Sequence, residues 1–106
     1  MPKSRRSLLK QTEHDEAVKK LASRYRRQHP SATVYADASG FLKPRMIGSH
    51  RPDIIVVFRN GRGRIIEIET EDTINTEHAR AQARSFRGYA NLKGFRFDVF
   101  LAENIV

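Results

Sequence analysis

The fold is decided by residues 52–69, whose sequence is PDIIVVFRNGRGRIIEIE. The apolar run from Ile54 to Phe58 is rich in β-branched residues and too short for an independent helix, so it predicts a central strand buried on both faces. Residues 60–63, Asn-Gly-Arg-Gly, are typical of a hairpin turn. Residues 64–70 are therefore predicted to form the return strand, antiparallel to the first.

Helical and extended patterns flank this hairpin. Apolar residues at three- and four-residue spacing predict a helix over residues 12–29, capped by its first residue and stopped by Pro30. Residues 33–37 predict a short strand, and the loop after it could contain another. A second helix is predicted over 76–94 and a last strand over 95–101. The order αβββαβ indicates an α/β fold, with helices flanking a mixed four-stranded sheet.

The length of 106 residues suits one domain with a modest core. We assign this domain to residues 12–106 and interpret residues 1–11 as a flexible basic arm, with a leader that has no role as the alternative. The arm is expected to lie along a phosphate backbone through four basic residues: Lys3, Arg5, Arg6 and Lys10.

The charge of the chain favours a polyanionic partner. Twenty Lys and Arg residues stand against 12 Asp and Glu, a net charge of +8. Nucleic acid rewards such dispersed cations through counterion release, although a merely basic surface would have the same composition. The longest apolar run, Ile54 to Phe58, is far too short to cross a membrane. We therefore expect a cytoplasmic protein with a nucleic-acid partner and no membrane partner.

Two glutamates of the return strand share one face. Glu67 and Glu69 are two residues apart, so the pleat points both side chains the same way. Like charges at this distance call for a cation, unless arginines across the hairpin balance a solvated strand face. With Asp53 at the start of the partner strand, they would offer three hard oxygen donors for Mg²⁺ or Mn²⁺.

The register of the hairpin decides whether Asp53 joins this face. Pairing Phe58 with Arg64 sets Asp53 opposite Glu69, on the same face. Pairing Arg59 with Arg64 would turn Asp53 to the other face unless a bulge intervened. The predicted metal site depends on this register.

These residues resemble the PD-(D/E)xK nuclease superfamily, which includes restriction endonucleases, archaeal Holliday junction resolvases and RecB-type nucleases. Pro52-Asp53 is similar to the first half of the motif and Glu67-Ile68-Glu69 to the second, within a resemblance that covers most of residues 13–101. It implies a restriction endonuclease-like core, metal-dependent cleavage of DNA or RNA, and metal ligation by Asp53, Glu67 and the Ile68 carbonyl.

The resemblance also suggests residues from the two helices. RecB-like members carry a Gln and a Tyr on the second helix, similar to Gln82 and Tyr89. Gln82 falls within the apolar stripe, so its amide would either bond near the carboxylates or cap a strand end. The first helix of the family often supplies a further acid, for which Glu13 or His14 is the candidate; packing of His14 in the core is the alternative.

Glu69 stands where the family usually has Lys. That lysine orients the attacking water and offsets transition-state charge, so an acid there changes the chemistry. Glu69 could be a metal ligand or general base, as some restriction endonucleases resemble this sequence in carrying Glu at that point. It could also mark lost catalysis. No lysine lies between Lys43 and Lys93, which leaves arginines as local positive charge: Arg51, Arg64, Arg80 and Arg84.

The leading hypothesis is a Mg²⁺- or Mn²⁺-dependent endonuclease acting on DNA. Its predicted catalytic residues are Asp53, Glu67, Glu69 and Gln82, and its predicted metal ligands are Asp53, Glu67, Glu69 and Glu13. His50 and Arg51 are expected near phosphates, together with the arm. A catalytically inactive nucleic-acid-binding module and a basic scaffold protein are the alternatives. A homodimer is expected because so small a domain cannot enclose a duplex alone.

Overall fold

A four-stranded mixed sheet with two helices forms the framework of the molecule. The computed structural model describes residues 7–106 and confirms the order αβββαβ. The elements are α1 (Leu8–Gln28), β1 (Thr33–Ala36), β2 (Ile54–Val57), β3 (Gly63–Glu69), α2 (Glu77–Lys93) and β4 (Arg96–Leu101), followed by a short 3₁₀ helix (Ala102–Asn104). Neither helix in the described part of the chain is long and apolar enough to cross a bilayer.

The strands lie in the order β1-β2-β3-β4, with β4 parallel to β3 and the other pairs antiparallel. Side chains alternate between two cores. Ile66 and Ile68 of β3 belong to the core packed by α1, whereas Ile65 belongs to the core packed by α2. β2 lies between β1 and β3 with its first three residues buried, as its β-branched sequence predicts.

The register of the hairpin matches neither of the two pairings considered from the sequence. Ile54 faces Ile66, and the Phe58 amide donates to the Arg62 carbonyl at 2.8 Å. The loop therefore has three residues and ends at Gly61, whose φ of 87° only glycine adopts readily. The observed register is shifted by two residues from the Phe58–Arg64 pairing. Because this shift is even, the alternation of that pairing is kept and Ile54 shares a core with Ile66.

Helix α1 begins earlier than predicted. Ser7 is its N-cap, and the Ser7 hydroxyl accepts the Lys10 amide at 3.2 Å, so the prediction of Thr12 as cap is wrong. Leu8 and Leu9 are 85% and 84% exposed. They do not belong to the buried stripe of α1, so the hydrophobic spacing did not predict this first turn. The part of the predicted arm over residues 8–11 is thus helical, and Lys10 belongs to α1.

The remaining arm residues, Lys3, Arg5 and Arg6, lie outside the described residues. At the other end of α1 the prediction is confirmed, because the helix ends at Gln28 with His29 as C-cap. The caps of α2 are also as predicted. Thr76 accepts the Ala79 amide, and Gly94 adopts a left-handed φ of 73°.

The long loop between β1 and β2 contains single bridges in place of a further strand. Tyr35 bridges to Leu42, and Ile47 bridges to His50. Ile47 is buried in the core beneath α2, so the loop is held against the sheet.

Candidate functional site

Strands β2 and β3 are joined by side chains at the point where regular β2 pairing ends. The Asp53 amide donates to Glu67 Oε1 at 2.9 Å, and the Ile68 amide donates to Asp53 Oδ2 at 2.8 Å. Pro52 precedes Asp53 and has no amide hydrogen to offer. The two carboxyl groups, called the carboxylate pair below, therefore accept N–H groups that a longer strand would have bonded to carbonyl oxygens.

Burial raises the pKa of the Glu67 carboxyl group well above its usual range. Glu67 is only 4% exposed, and loss of hydration disfavours its charged form. The neighbouring Asp53 carboxylate raises the pKa further and Glu69 adds to it, while the N–H bond from Asp53 opposes the shift. Without a cation, Glu67 has a strong tendency to hold a proton.

His14 of α1 lies against the carboxylate pair. Its Nε2 is 3.2 Å from Asp53 Oδ2, and its Nδ1 is 3.0 Å from Asp15 Oδ1. An imidazolium could donate to both carboxylates. The other candidate from the first helix, Glu13, pairs instead with Lys10 at 3.5 Å. Of the two alternatives, the structure brings His14 to the site.

Glu69 is held by a buried hydroxyl network. The Thr73 hydroxyl donates to Glu69 Oε1 at 2.7 Å and lies 3.1 Å from the Thr70 hydroxyl, which bonds Asp72 at 2.5 Å. Thr70 and Thr73 are buried, and Glu69 is 5% exposed. Neither threonine was predicted as a site residue. Residues 69–73 are all hydroxyl or acidic residues, and this cluster could have predicted a local side-chain network.

Within residues 7–106, no hydrogen bond or ion pair joins the carboxylate pair to the predicted site residues Gln82 and His50. Gln82 is half-buried on α2, whose buried residues are Ala79, Phe86 and Ala90. Within residues 7–106 its amide has no hydrogen-bond partner, in contrast to the predicted buried amide that bonds near the carboxylates or a strand end. His50 packs against His78, with ring centroids 5.6 Å apart.

The four arginines named as local positive charge have partners elsewhere. Arg51 donates to the Pro44 carbonyl. Arg64 pairs with Asp98 at 2.6 Å and also contacts the Tyr25 hydroxyl. The remaining two both pair with Glu77: Arg80 at 3.2 Å and Arg84 at 3.5 Å. Within residues 7–106, His14 is thus the basic side chain in contact with Asp53.

The donor chemistry of the carboxylate pair fits a hard divalent cation. Mg²⁺ is commonly held by one or two carboxylates, together with water and substrate phosphate oxygens. Asp53 and Glu67 supply such donors, and their mutual repulsion is relieved by positive charge. Within residues 7–106, no group of three or more His, Cys, Asp or Glu side chains forms a metal-binding arrangement.

Comparisons with protein-family models, with curated protein sequences and with solved structures found no match.

Proposed function

We propose that this chain is a Mg²⁺- or Mn²⁺-dependent nuclease with a restriction endonuclease-like core, which hydrolyses phosphodiester bonds in DNA. The observation that carries the proposal is the carboxylate pair, a buried Glu67 and a half-buried Asp53, placed where regular pairing of two adjacent strands ends and flanked by His14 and Glu69. The motif resemblance and the net charge of +8 support it.

Each residue of the site has a distinct role in this proposal. Asp53 and Glu67 would hold the metal, which when bound supplies a more acidic water and neutralises phosphoryl charge. Their backbone N–H bonds fix the carboxyl groups before substrate arrives, so little reorganisation is needed. His14 orients Asp53 through their 3.2 Å contact.

Glu69 serves as the general base in place of the lysine usual in the family. Its Oε1 accepts the Thr73 hydroxyl at 2.7 Å, which holds the carboxyl group in place, and a carboxylate positioned beside the metal can take a proton from water. The proton acceptor is thereby supplied by the same strand as Glu67.

A catalytically inactive nucleic-acid-binding module is the second candidate. The specific observation in its favour is that both carboxyl groups of the pair are already bonded to backbone amides, so they can stabilise the hairpin without a metal. Glu69 in place of lysine would then be a trace of lost catalysis. Homodimer formation stays a prediction under either function.

The deciding experiment is cleavage of plasmid, single-stranded and branched DNA with Mg²⁺ or Mn²⁺. Wild type should cut, and Asp53→Asn and Glu67→Gln should each lose at least about a hundred-fold in rate, because these changes remove charge while keeping shape. Glu16→Gln, an exposed acid on α1, is the matched control and should retain activity. Equal residual cutting by wild type and both site variants would mean contamination and end the nuclease proposal.

Metal binding separates the nuclease from a scaffold protein. Mn²⁺ should raise the melting temperature of wild type, since a ligand that binds only the folded state stabilises it, and should have no effect on the Asp53→Asn protein. Metal binding without cleavage of any DNA form would favour the inactive module. If the protein shows neither metal binding nor DNA cleavage, the scaffold hypothesis is favoured.

A further inference from the structure

A concave site lies at the hairpin end of the sheet, on the face covered by α2. It is a cavity of about 470 Å³, within the size range of small-molecule sites. The strands, the loop after β1 and the end of α2 all contribute to its walls. It is lined by Tyr35, Lys43, Arg45, Ile55, Val57, Gly61, Tyr89, Lys93 and Phe95.

The floor and wall of this site, called the tyrosine pocket below, are apolar and aromatic. Tyr35 faces Ile55 in the β1–β2 register, and both side chains belong to the α2 face with Val57. Tyr89 of α2 and Phe95 are half-buried beside them. Two tyrosines and a phenylalanine thus border one opening, which offers planar surfaces for a flat ligand.

The rim of the tyrosine pocket is positively charged. Arg45 and Lys93 lie over the Tyr89 ring, with their charged groups 5.6 Å and 5.7 Å from its centroid, and Lys43 is the third cation. Throughout residues 7–106, no carboxylate lies within ion-pair distance of these three, and none lines the pocket. Positive charge gathered without an acidic partner favours an anionic ligand.

We infer that the tyrosine pocket binds one nucleotide of a single-stranded nucleic acid, with the base stacked on tyrosine and its phosphate beside the cations. In single-strand recognition, aromatic side chains stack on exposed bases and cationic side chains attract the phosphates. A duplex presents its phosphates but hides the faces of its bases, so it matches only half of the pocket. This inference rests on the proposed function and names the substrate class of the same protein.

The strand β2 connects the pocket to the carboxylate pair. Ile55 in the pocket floor is two residues from Asp53, which corresponds to about 7 Å of strand. A single strand held by the pocket is therefore anchored close to the proposed cleavage site.

The experiment is binding of a fluorescein-labelled oligothymidylate of about twelve nucleotides, measured by anisotropy in EDTA. Tyr89→Ala should weaken binding about ten-fold or more, because it removes a stacking surface, whereas Tyr89→Phe should stay within about two-fold. A duplex of equal length should bind more weakly to wild type and respond little to Tyr89→Ala.

Charge variants give an independent test that does not depend on a half-buried residue. Lys93→Gln should weaken binding and reduce the slope of log affinity against log salt by roughly 0.7. Lys19→Gln, with the same charge change on an exposed site of α1, should do less. If Tyr89→Ala fails to fold, the comparison of Lys93→Gln with Lys19→Gln tests the inference instead. Equal effects of the two lysine variants, or wild-type binding by folded Tyr89→Ala, would overturn the inference.

Two further arms identify the source of the ligand and separate this inference from the nuclease proposal. Thymidine monophosphate that displaces the oligonucleotide, where inorganic phosphate does not, would show that the pocket takes a single nucleotide; displacement by phosphate alone would overturn base recognition. Since EDTA removes divalent metal, failure of cleavage leaves the binding result standing. Loss of binding with cleavage intact would refute only the pocket.

Discussion

The two ends of the β2–β3 hairpin lie beside groups of opposite charge in different settings. At one end, the carboxylate pair, of which Glu67 is buried and Asp53 half-buried, is bonded to backbone amides of the two adjacent chain segments. At the other, the cations of the tyrosine pocket are exposed side chains that no acid neutralises within residues 7–106. The positions of the acids are set by folding, whereas the cations remain free to adjust to a ligand.

This difference teaches which properties each end controls. A buried charge that is bonded to the backbone affects folding, pH dependence and chemistry together. Exposed cations affect mainly association and its salt dependence. Substitutions at the two ends should therefore separate stability from affinity.

The largest effect on stability is expected at Gly63, beside the turn of the hairpin. A Cβ atom there would lie 2.7 Å from the Val56 carbonyl oxygen and 2.7 Å from the Phe95 ring, so backbone must shift. Gly63→Ala should cost about 3 kcal/mol of unfolding free energy, measured by urea denaturation. The same change at Gly88, an open position in α2, should stabilise by about 0.5–1 kcal/mol. Equal effects at both glycines would contradict the close packing of the hairpin.

An intermediate effect is expected from the hydroxyl that holds Glu69. Thr73→Val keeps the shape of the side chain but leaves Glu69 Oε1 without its 2.7 Å donor, which should cost about 1–3 kcal/mol of stability. Thr12→Val, at an exposed position of α1, is the matched control and should cost less. Thermal unfolding measures both. If Thr73→Val leaves the stability unchanged, the hydrogen bond from Thr73 to Glu69 does not stabilise the fold.

A pH effect follows from the raised pKa of Glu67. The folded protein keeps the Glu67 proton at pH values where the unfolded chain has lost it, so this contribution to stability is full below about pH 4.3. It is lost as the pH rises through the folded pKa, by at most about 1.4 kcal/mol per pH unit for one proton. Denaturation of metal-free protein across pH should show this decline, and Glu67→Gln should flatten it. An unchanged slope in the variant would place the titration elsewhere.

The smallest effect is expected at Glu77, an acid that belongs to neither end of the hairpin. Hydrogen bonds and attraction from Arg80 and Arg84 lower its pKa. A lowered pKa stabilises the fold above the usual range of Glu and loses this as pH falls through the folded pKa. Because Glu77 is exposed, solvent and salt screen the interaction, and Glu77→Gln should leave the melting temperature nearly unchanged at neutral pH. A large drop would mean that surface charge rivals the buried pair.

Much of the framework was predictable because its signals are local. Pro30 and Gly94 mark the ends of the two helices, and the β-branched run before Asn60 gives the central strand. The hairpin predicted that Asp53 and Glu67 lie close together, and the Asp53 amide is 2.9 Å from Glu67 Oε1, although the number of residues in the turn was not predicted. Whether Gly61 closes a three-residue loop depends on its positive φ, which several turns with Asn-Gly share.

The contacts around the site were harder to predict because they join distant segments. His14 reaches Asp53 from another element, and hydrophobic periodicity alone could not distinguish this from core packing. The tyrosine pocket collects Tyr35, Arg45 and Tyr89 from a strand, a loop and a helix. No spacing in the sequence relates these three residues, since only the path of the chain brings them together.

The mixed direction of the sheet has a consequence for the order of folding. β3 meets β2 through a three-residue loop, whereas it meets β4 only after the whole of α2 has been formed. Contacts close in sequence form sooner than those that need a long crossover. Asp53 and Glu67 are therefore brought together by an early, local event. Glu69 also faces Leu101 across the parallel ladder, and this long-range contact is expected to form later than the local ones.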